Sequence, residues 1–165
     1  MEFHAPYQQA LEMRLDTVRE ICEDLGLANF QATTDPAQCE RLWYARYNAY
    51  TIAVNNHPHE KILVLDAAVP ISAYPAIVEQ VQRGLNSQHL SGYLLGHAGD
   101  GNMHVLVPYT ADTYSQVLAF NEAMVLKALE LGGTATGEHG VGIGKRGYMR
   151  RDSFQEGFQA QLRKS

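Results

Sequence analysis

The chain has 165 residues, enough for one domain with a core of its own, and its 45% hydrophobic and 19% charged content is ordinary for a globular protein. The formal net charge is −5, and the only basic cluster is the terminal "KRGYMRR", which argues against a nucleic-acid partner. No apolar run reaches the ~20 residues of a membrane span, and no signal peptide is visible.

Residues 5–26 read as a helix. Tyr7, Leu11, Leu15, Val18, Cys22 and Leu25 recur at spacings of three or four, and Gly26 can end it. A short strand is expected over 27–33. Asp35-Pro36 starts a second helix, because proline suits a first helical position, and this helix should run to about residue 54 with Leu42, Trp43, Arg46, Tyr50 and Ala53 toward one side. "NNHPHE" (55–60) is a loop. "KILVLDAAVP" (61–70) is a strand whose apolar run suggests burial on both faces. Ser72 should cap a third helix reaching about residue 86, packing through Tyr74, Ile77, Val78, Val81 and Leu85. A hairpin over 90–109 follows. Then comes a helix over about 112–131, with Tyr114, Val117, Leu118, Met124, Val125 and Leu129, ended by Gly132-Gly133. Cys22 and Cys39 lack any CxxC spacing and read as reduced thiols of a reducing compartment. From residue 61 the order strand, helix, strand, strand, helix implies an α+β fold: a ferredoxin-like antiparallel sheet with helices packed on one face. The whole chain is expected to be a single domain, with 1–60 a helical lead-in, 61–135 the core, and 136–165 a glycine-rich site loop and C-terminal helix.

The hairpin contains "GHAGDGNMH" (96–104). Asp100-Gly101 is a strong turn signal, since a type I′ turn needs φ > 0 at both central residues. With 100 and 101 as a two-residue loop, His97 falls directly opposite His104. Their Cβ atoms would then lie about 4.5–5.5 Å apart. The two imidazoles can chelate one ion from there, or they are a cross-strand pair without function. Residues 132–147 hold seven glycines in sixteen positions, a sign of backbone that turns sharply or approaches something closely. A P-loop fails, because Arg146 follows Gly144-Lys145 and the required first glycine is His139. Gly142, Gly144 and Gly147 match GxGxxG, but no hydrophobic strand precedes them. Glu138 and His139 are the informative polar residues of this loop. Either they are a solvated dipeptide, or Glu138 completes a His₂Glu set with His97 and His104. Three protein ligands leave an open position, the mark of a catalytic metal. His139 would then stand beside the ion as a base.

"GHAGDGNMH" and "GTATGEHGVGIGKRGYM" together resemble the paired signatures of the C-terminal domain of FAD-linked oxidases, the flavoenzymes that oxidise D-2-hydroxy acids such as D-lactate and glycolate. "LWYARYNAY" and "KILVLDAAVPIS" are similar to segments of the D-lactate branch. The resemblance implies a divalent metal, zinc or manganese, on His97, His104 and Glu138, with His139 as the catalytic base. It implies Arg46, Lys61 and Asn102 as substrate-binding residues. An arginine suits that place because a guanidinium grips a carboxylate through two parallel hydrogen bonds. The implied cofactor is FAD, bound mainly by a flavin-binding domain that precedes this region in the family, in cis or in trans. The implied substrate is a small 2-hydroxy acid. The sequence departs from the family in three places. Residues 1–30 hold nothing to replace the flavin domain, the family's DPxxxxNPGK-like tail is missing, and Tyr47 stands where the D-lactate branch has histidine. The expectation is therefore a piece of the enzyme that is inactive alone, in the cytoplasm, with peripheral membrane association open for the complete enzyme. Two alternatives share the donor set: a freestanding metal-dependent module that binds hydroxy acids, and a small metallohydrolase.

Overall fold

A computed structural model describes residues 3–26 and 29–149. The chain divides into two compact units, Met1–Tyr47 and Asn48–Ser165. The first holds α1 (Gln8–Asp24) and α2 (Pro36–Tyr47), neither with a fully buried side chain. Leu11, Leu15, Val18 and Cys22 form the half-buried stripe of α1 that their spacing predicts. Asp35 starts α2 by accepting the Gln38 N–H on Oδ1 at 2.8 Å, as its place before Pro36 suggests. The expected strand at 27–33 does not form over 29–33, and residues 27–28 lie outside the description.

The second unit runs α3 (Ala49–Asn56), β1 (Lys61–Ala68), a 3₁₀ turn (Ile71–Ala73), α4 (Tyr74–Ser87), β2 (Tyr93–His97), a 3₁₀ turn (Ala98–Asp100), β3 (Asn102–Tyr109) and α5 (Tyr114–Glu130). The second helix of the sequence reading is thus two helices, parted at Asn48, whose ψ of 12° leaves the helical region. Ser72 does not cap α4. It sits in the 3₁₀ turn, and α4 opens with a proline in its first turn.

The strands form an antiparallel sheet in the order β1-β3-β2. The fold is α+β, with five helices and three strands among the described residues. The fourth strand of a ferredoxin-like sheet is absent from them. At the outer edge of β1 there is only an isolated bridge from Ala68 to Thr134.

Alternation along the strands separates two faces. Leu65 and Ala67 of β1 and Met103, Val105 and Val107 of β3 point to one side. There they pack with Ile77, Val81 and Leu85 of α4 and Val117, Phe120, Met124 and Ala128 of α5. The other face is not bare, contrary to the one-sided packing expected. Its Tyr93 hydroxyl meets Asn56 and His57 at the end of α3, and α3 contacts β1 and β3. The strand buried on both faces is the central β3. In β1 only Leu65, Asp66 and Ala67 are fully buried. The C-terminal helix expected toward residue 165 lies outside the described residues from 150 onward.

Candidate metal centre

The second face of the sheet carries the polar cluster. Register places Asp66, His104 and Leu95 in one row across β1, β3 and β2, and Ala68, Asn102 and His97 in the next. His97 is therefore opposite Asn102, not His104. The Asp-Gly signal marks the turn correctly but not its type. Only Gly101 takes a left-handed conformation, with φ +70°, and its N–H closes a turn on the Ala98 carbonyl at 3.2 Å. The connection is thus four residues, 98–101, and the register moves by two. Because side chains alternate with period two, a shift of two keeps both histidines on one face. Gly101 also lies so close to the Val69 carbonyl that a Cβ there would collide with it.

The glycine-rich segment brings the third donor. Glu138 Oε1 lies 2.9 Å from His104 Nε2 and 3.8 Å from His97 Nε2. The rings of His97 and His104 are perpendicular, with centroids 6.0 Å apart. Donors bound tetrahedrally to zinc at about 2.1 Å lie about 3.4 Å from one another, so the two separations bracket what an ion would draw together. Two imidazoles and a carboxylate are a fitting donor set for zinc, and an acceptable one for manganese. His104 is buried, whereas His97 and Glu138 are half exposed on the rim of an open depression of about 410 Å³. Ala68, Asp100, Asn102 and Gly137 complete its lining.

Asn102 is buried at the start of β3. Gly137 packs directly on its amide, leaving no space for a Cβ at 137. His139 stacks parallel on His104 at 4.7 Å, with Nε2 at 4.0 Å from Glu138 Oε1. Five of the residues singled out from the sequence are thus gathered: His97, Asn102, His104, Glu138 and His139. Lys61 is not. It starts β1, five residues before Asp66, on the order of 16 Å away along the strand and on the opposite pleat. Arg46 stands half-buried in the last turn of α2, in the first unit.

Asp66 is the member that the sequence reading passed over. Its signal was a lone carboxylate in an otherwise apolar strand. It is 1% exposed. Its Oδ2 accepts from Thr136 Oγ1 (2.8 Å) and from the backbone N–H of Gly137 (2.8 Å), His139 (3.1 Å) and Glu138 (3.2 Å). The Lys145 ammonium bonds the Asp66 carbonyl at 2.7 Å and stands 3.6 Å from Oδ2. Burial pushes the Asp66 carboxyl up. The Thr136 hydroxyl, the His139 N–H, the Lys145 charge and the Gly137 N–H outweigh it and hold the carboxyl below its ordinary value. Burial also pushes the His104 imidazole below its ordinary range, and His139 adds to this against the pull of Asp66 and Glu138. The lowered value favours the neutral imidazole, the form that can bind a metal.

Residues 1–163 match the family described as FAD linked oxidases, C-terminal domain. The chain is 36% identical over 155 residues to the "Probable D-lactate dehydrogenase, mitochondrial" of Danio rerio, a match covering 92% of this chain and 31% of that protein. It is 34% identical over 146 residues to the mitochondrial D-lactate dehydrogenase (cytochrome) of Kluyveromyces lactis, covering 86% and 25%. Against glycolate oxidase subunit GlcD of Bacillus subtilis the identity is 28% over 163 residues, covering 97% and 34%. The chain spans about a third or less of the length of these curated relatives.

Proposed function

This chain belongs to the FAD linked oxidase C-terminal domain family, and from that premise we propose that it is the substrate- and metal-binding domain of a flavin-dependent dehydrogenase acting on a D-2-hydroxy acid of the D-lactate or glycolate type. The observation that carries the reading is the convergence of donor atoms of His97, His104 and Glu138, from a hairpin and a distant loop, within 4.8 Å of one another, with His97 and Glu138 lining the depression and His104 buried beside them. The names of the similar proteins supply the substrate class. Family membership favours this reading over a freestanding binding module or a metallohydrolase built on the same donors.

His97 Nε2, His104 Nε2 and Glu138 Oε1 would hold a zinc or manganese ion, which when bound would supply Lewis-acid polarisation of the substrate's hydroxyl and carboxylate. His104, enclosed by the sheet, would be the fixed ligand, with His97 and Glu138 on the rim. The buried Asn102 amide offers a donor and an acceptor to the bound acid. His139, whose Nε2 stands 4.0 Å from Glu138 Oε1, would take the hydroxyl proton at that nitrogen without joining the proposed ligand set. FAD, held by a flavin-binding domain, would supply the acceptor for the hydride.

Calorimetric titration of the chain with zinc and with manganese tests the core of this reading. One ion per chain is expected, and His97→Ala, His104→Ala and Glu138→Ala should each weaken binding at least about tenfold. Three variants binding as tightly as the wild type would reject the centre.

A further inference from the structure

The buried carboxylate of Asp66 has two oxygens in unlike surroundings. Oδ2 collects four donors from one loop, three of them the successive N–H groups of Gly137, Glu138 and His139. Successive N–H groups converging on one point form a concave anion-binding nest. Here the anion is the protein's own, fixed in mid-sheet. Lys145 ties the far side of the same loop to the carbonyl of the same residue. Glu138 and His139 hence have their backbones anchored to β1, while the Glu138 side chain lines the depression and the His139 ring stacks on His104.

Oδ1 has no hydrogen-bond partner among the described residues, and neither does His104 Nδ1. Both are buried, directly opposite in register, and 3.4 Å apart. A neutral imidazole carries one N–H. Nε2 lies 2.9 Å from Glu138 Oε1, a donor's distance from an acceptor. Without an ion this contact favours the single proton on Nε2, which leaves Nδ1 facing Oδ1. An ion at Nε2 would need that nitrogen's lone pair, and the proton would have to move to Nδ1. A carboxylate oxygen with nothing else to accept already waits there.

Resting on the metal reading above, we propose that Asp66 is the positioning residue of the centre: Oδ2 clamps the Gly137–His139 backbone so that Glu138 and His139 are presented to the ion, and Oδ1 accepts the Nδ1–H that His104 acquires when an ion takes Nε2. The proton count is conserved, since the ring loses a proton at one nitrogen and gains one at the other through solvent, and Glu138 exchanges a hydrogen bond for a coordination bond. A carboxylate behind a metal-bound histidine fixes its tautomer and raises its basicity, and loss of such a partner costs about 10–100-fold in metal affinity.

The 165-residue chain, uniformly labelled with ¹⁵N, is the material for the test, with zinc alone as probe. In chelator, His104 should be the Nε2–H tautomer. With zinc it should become Nδ1–H. Amide exchange at Gly137, Glu138 and His139 in the zinc-free chain should be slow beside that of Gly142 and Gly144 in the same spectrum. Asp66→Asn, checked by circular dichroism, should bind zinc about 10–100-fold more weakly. Thr136→Val, which removes a single donor and keeps the volume, should speed exchange at the three amides even if Asp66→Asn does not fold. Zinc binding without a tautomer change, or a folded Asp66→Asn chain with wild-type affinity, would overturn the proposal while leaving the metal reading intact. Protected amides in a wild-type chain that binds no zinc would remove the metal reading, and with it the His104 half of the proposal, and leave the clamp standing. Unprotected amides in the wild type would remove the clamp.

Discussion

Asp66 and His104 are titratable groups enclosed by the fold, and both resist protonation in the native state. The consequence is a stability that declines in acid. An unfolded histidine takes a proton near pH 6.5, whereas native His104 holds out to lower pH. Its contribution is complete above about 6.5 and is lost as pH falls through its lowered native value. Asp66 behaves likewise from its ordinary value of 3.8 downward. In chelator, the melting temperature of the chain should be level above about pH 7 and fall in two stages below it. Asp66→Asn should remove the lower stage, and a melting temperature unchanged down to about pH 4 would contradict the His104 assignment. His139 is tested in a complex reconstituted with the flavin-binding portion of a relative. His139→Ala should lower turnover by about 10²–10⁴, with residual activity rising with pH and zinc affinity nearly intact. Loss of the metal instead would make His139 a ligand rather than a base. At this scale the sequence was informative where side chains had no packing reason to be polar, as at Glu138 and His139 in a glycine loop. It was silent on Asp66, because the donors that justify a buried carboxylate come from residues 70 to 73 positions away.

Helices of the second unit were legible from their period, since Ile77, Val81 and Leu85, and Val117 and Met124, meet the same core face. Register was not. The hydrophobic pattern fixes which face a residue occupies, and it is unchanged by a slip of two, so it could not choose between Asn102 and His104 as the partner of His97. That choice rests with the turn, through one glycine. Gly101→Ala places a Cβ against the Val69 carbonyl at a left-handed φ. It should cost about 1–3 kcal/mol in urea unfolding and weaken zinc binding by displacing His97. Gly99→Ala, two positions earlier with open space around it, should stay within about 0.5 kcal/mol. Equal effects of the two would refute the role given to the turn.

Viewed whole, the chain pairs a well-cored unit with a first unit whose helices bury no side chain completely, and in which Tyr44 and Tyr47 stay exposed. The chain spans about a third or less of its curated relatives, and the proposed chemistry sends its hydride to a flavin held elsewhere. The purified chain should accordingly show no flavin absorbance near about 450 nm and no D-lactate-dependent dye reduction, with or without added zinc. Stoichiometric FAD on the isolated chain would show that cofactor binding has been placed in the wrong domain. Nothing in composition or periodicity pointed to a flavin. That part of the reading came only through two glycine-flanked motifs, which record the shape of a site rather than the fold around it.

The clamp of the glycine loop by a strand 70 residues upstream also fixes when the site can come into being. The β2–β3 hairpin closes a short loop and can form early, whereas the Asp66 nest requires β1, β3 and the end of α5 to be in place first. Loop-closure entropy orders these events, and contacts of long sequence separation are gained late. The donors of the centre should thus assemble last during folding, after the sheet and its helical layer. Pulse-labelled exchange during refolding should find Leu95 and Leu106 amides protected before those of Gly137–His139, and the reverse order would show that the loop organises the sheet.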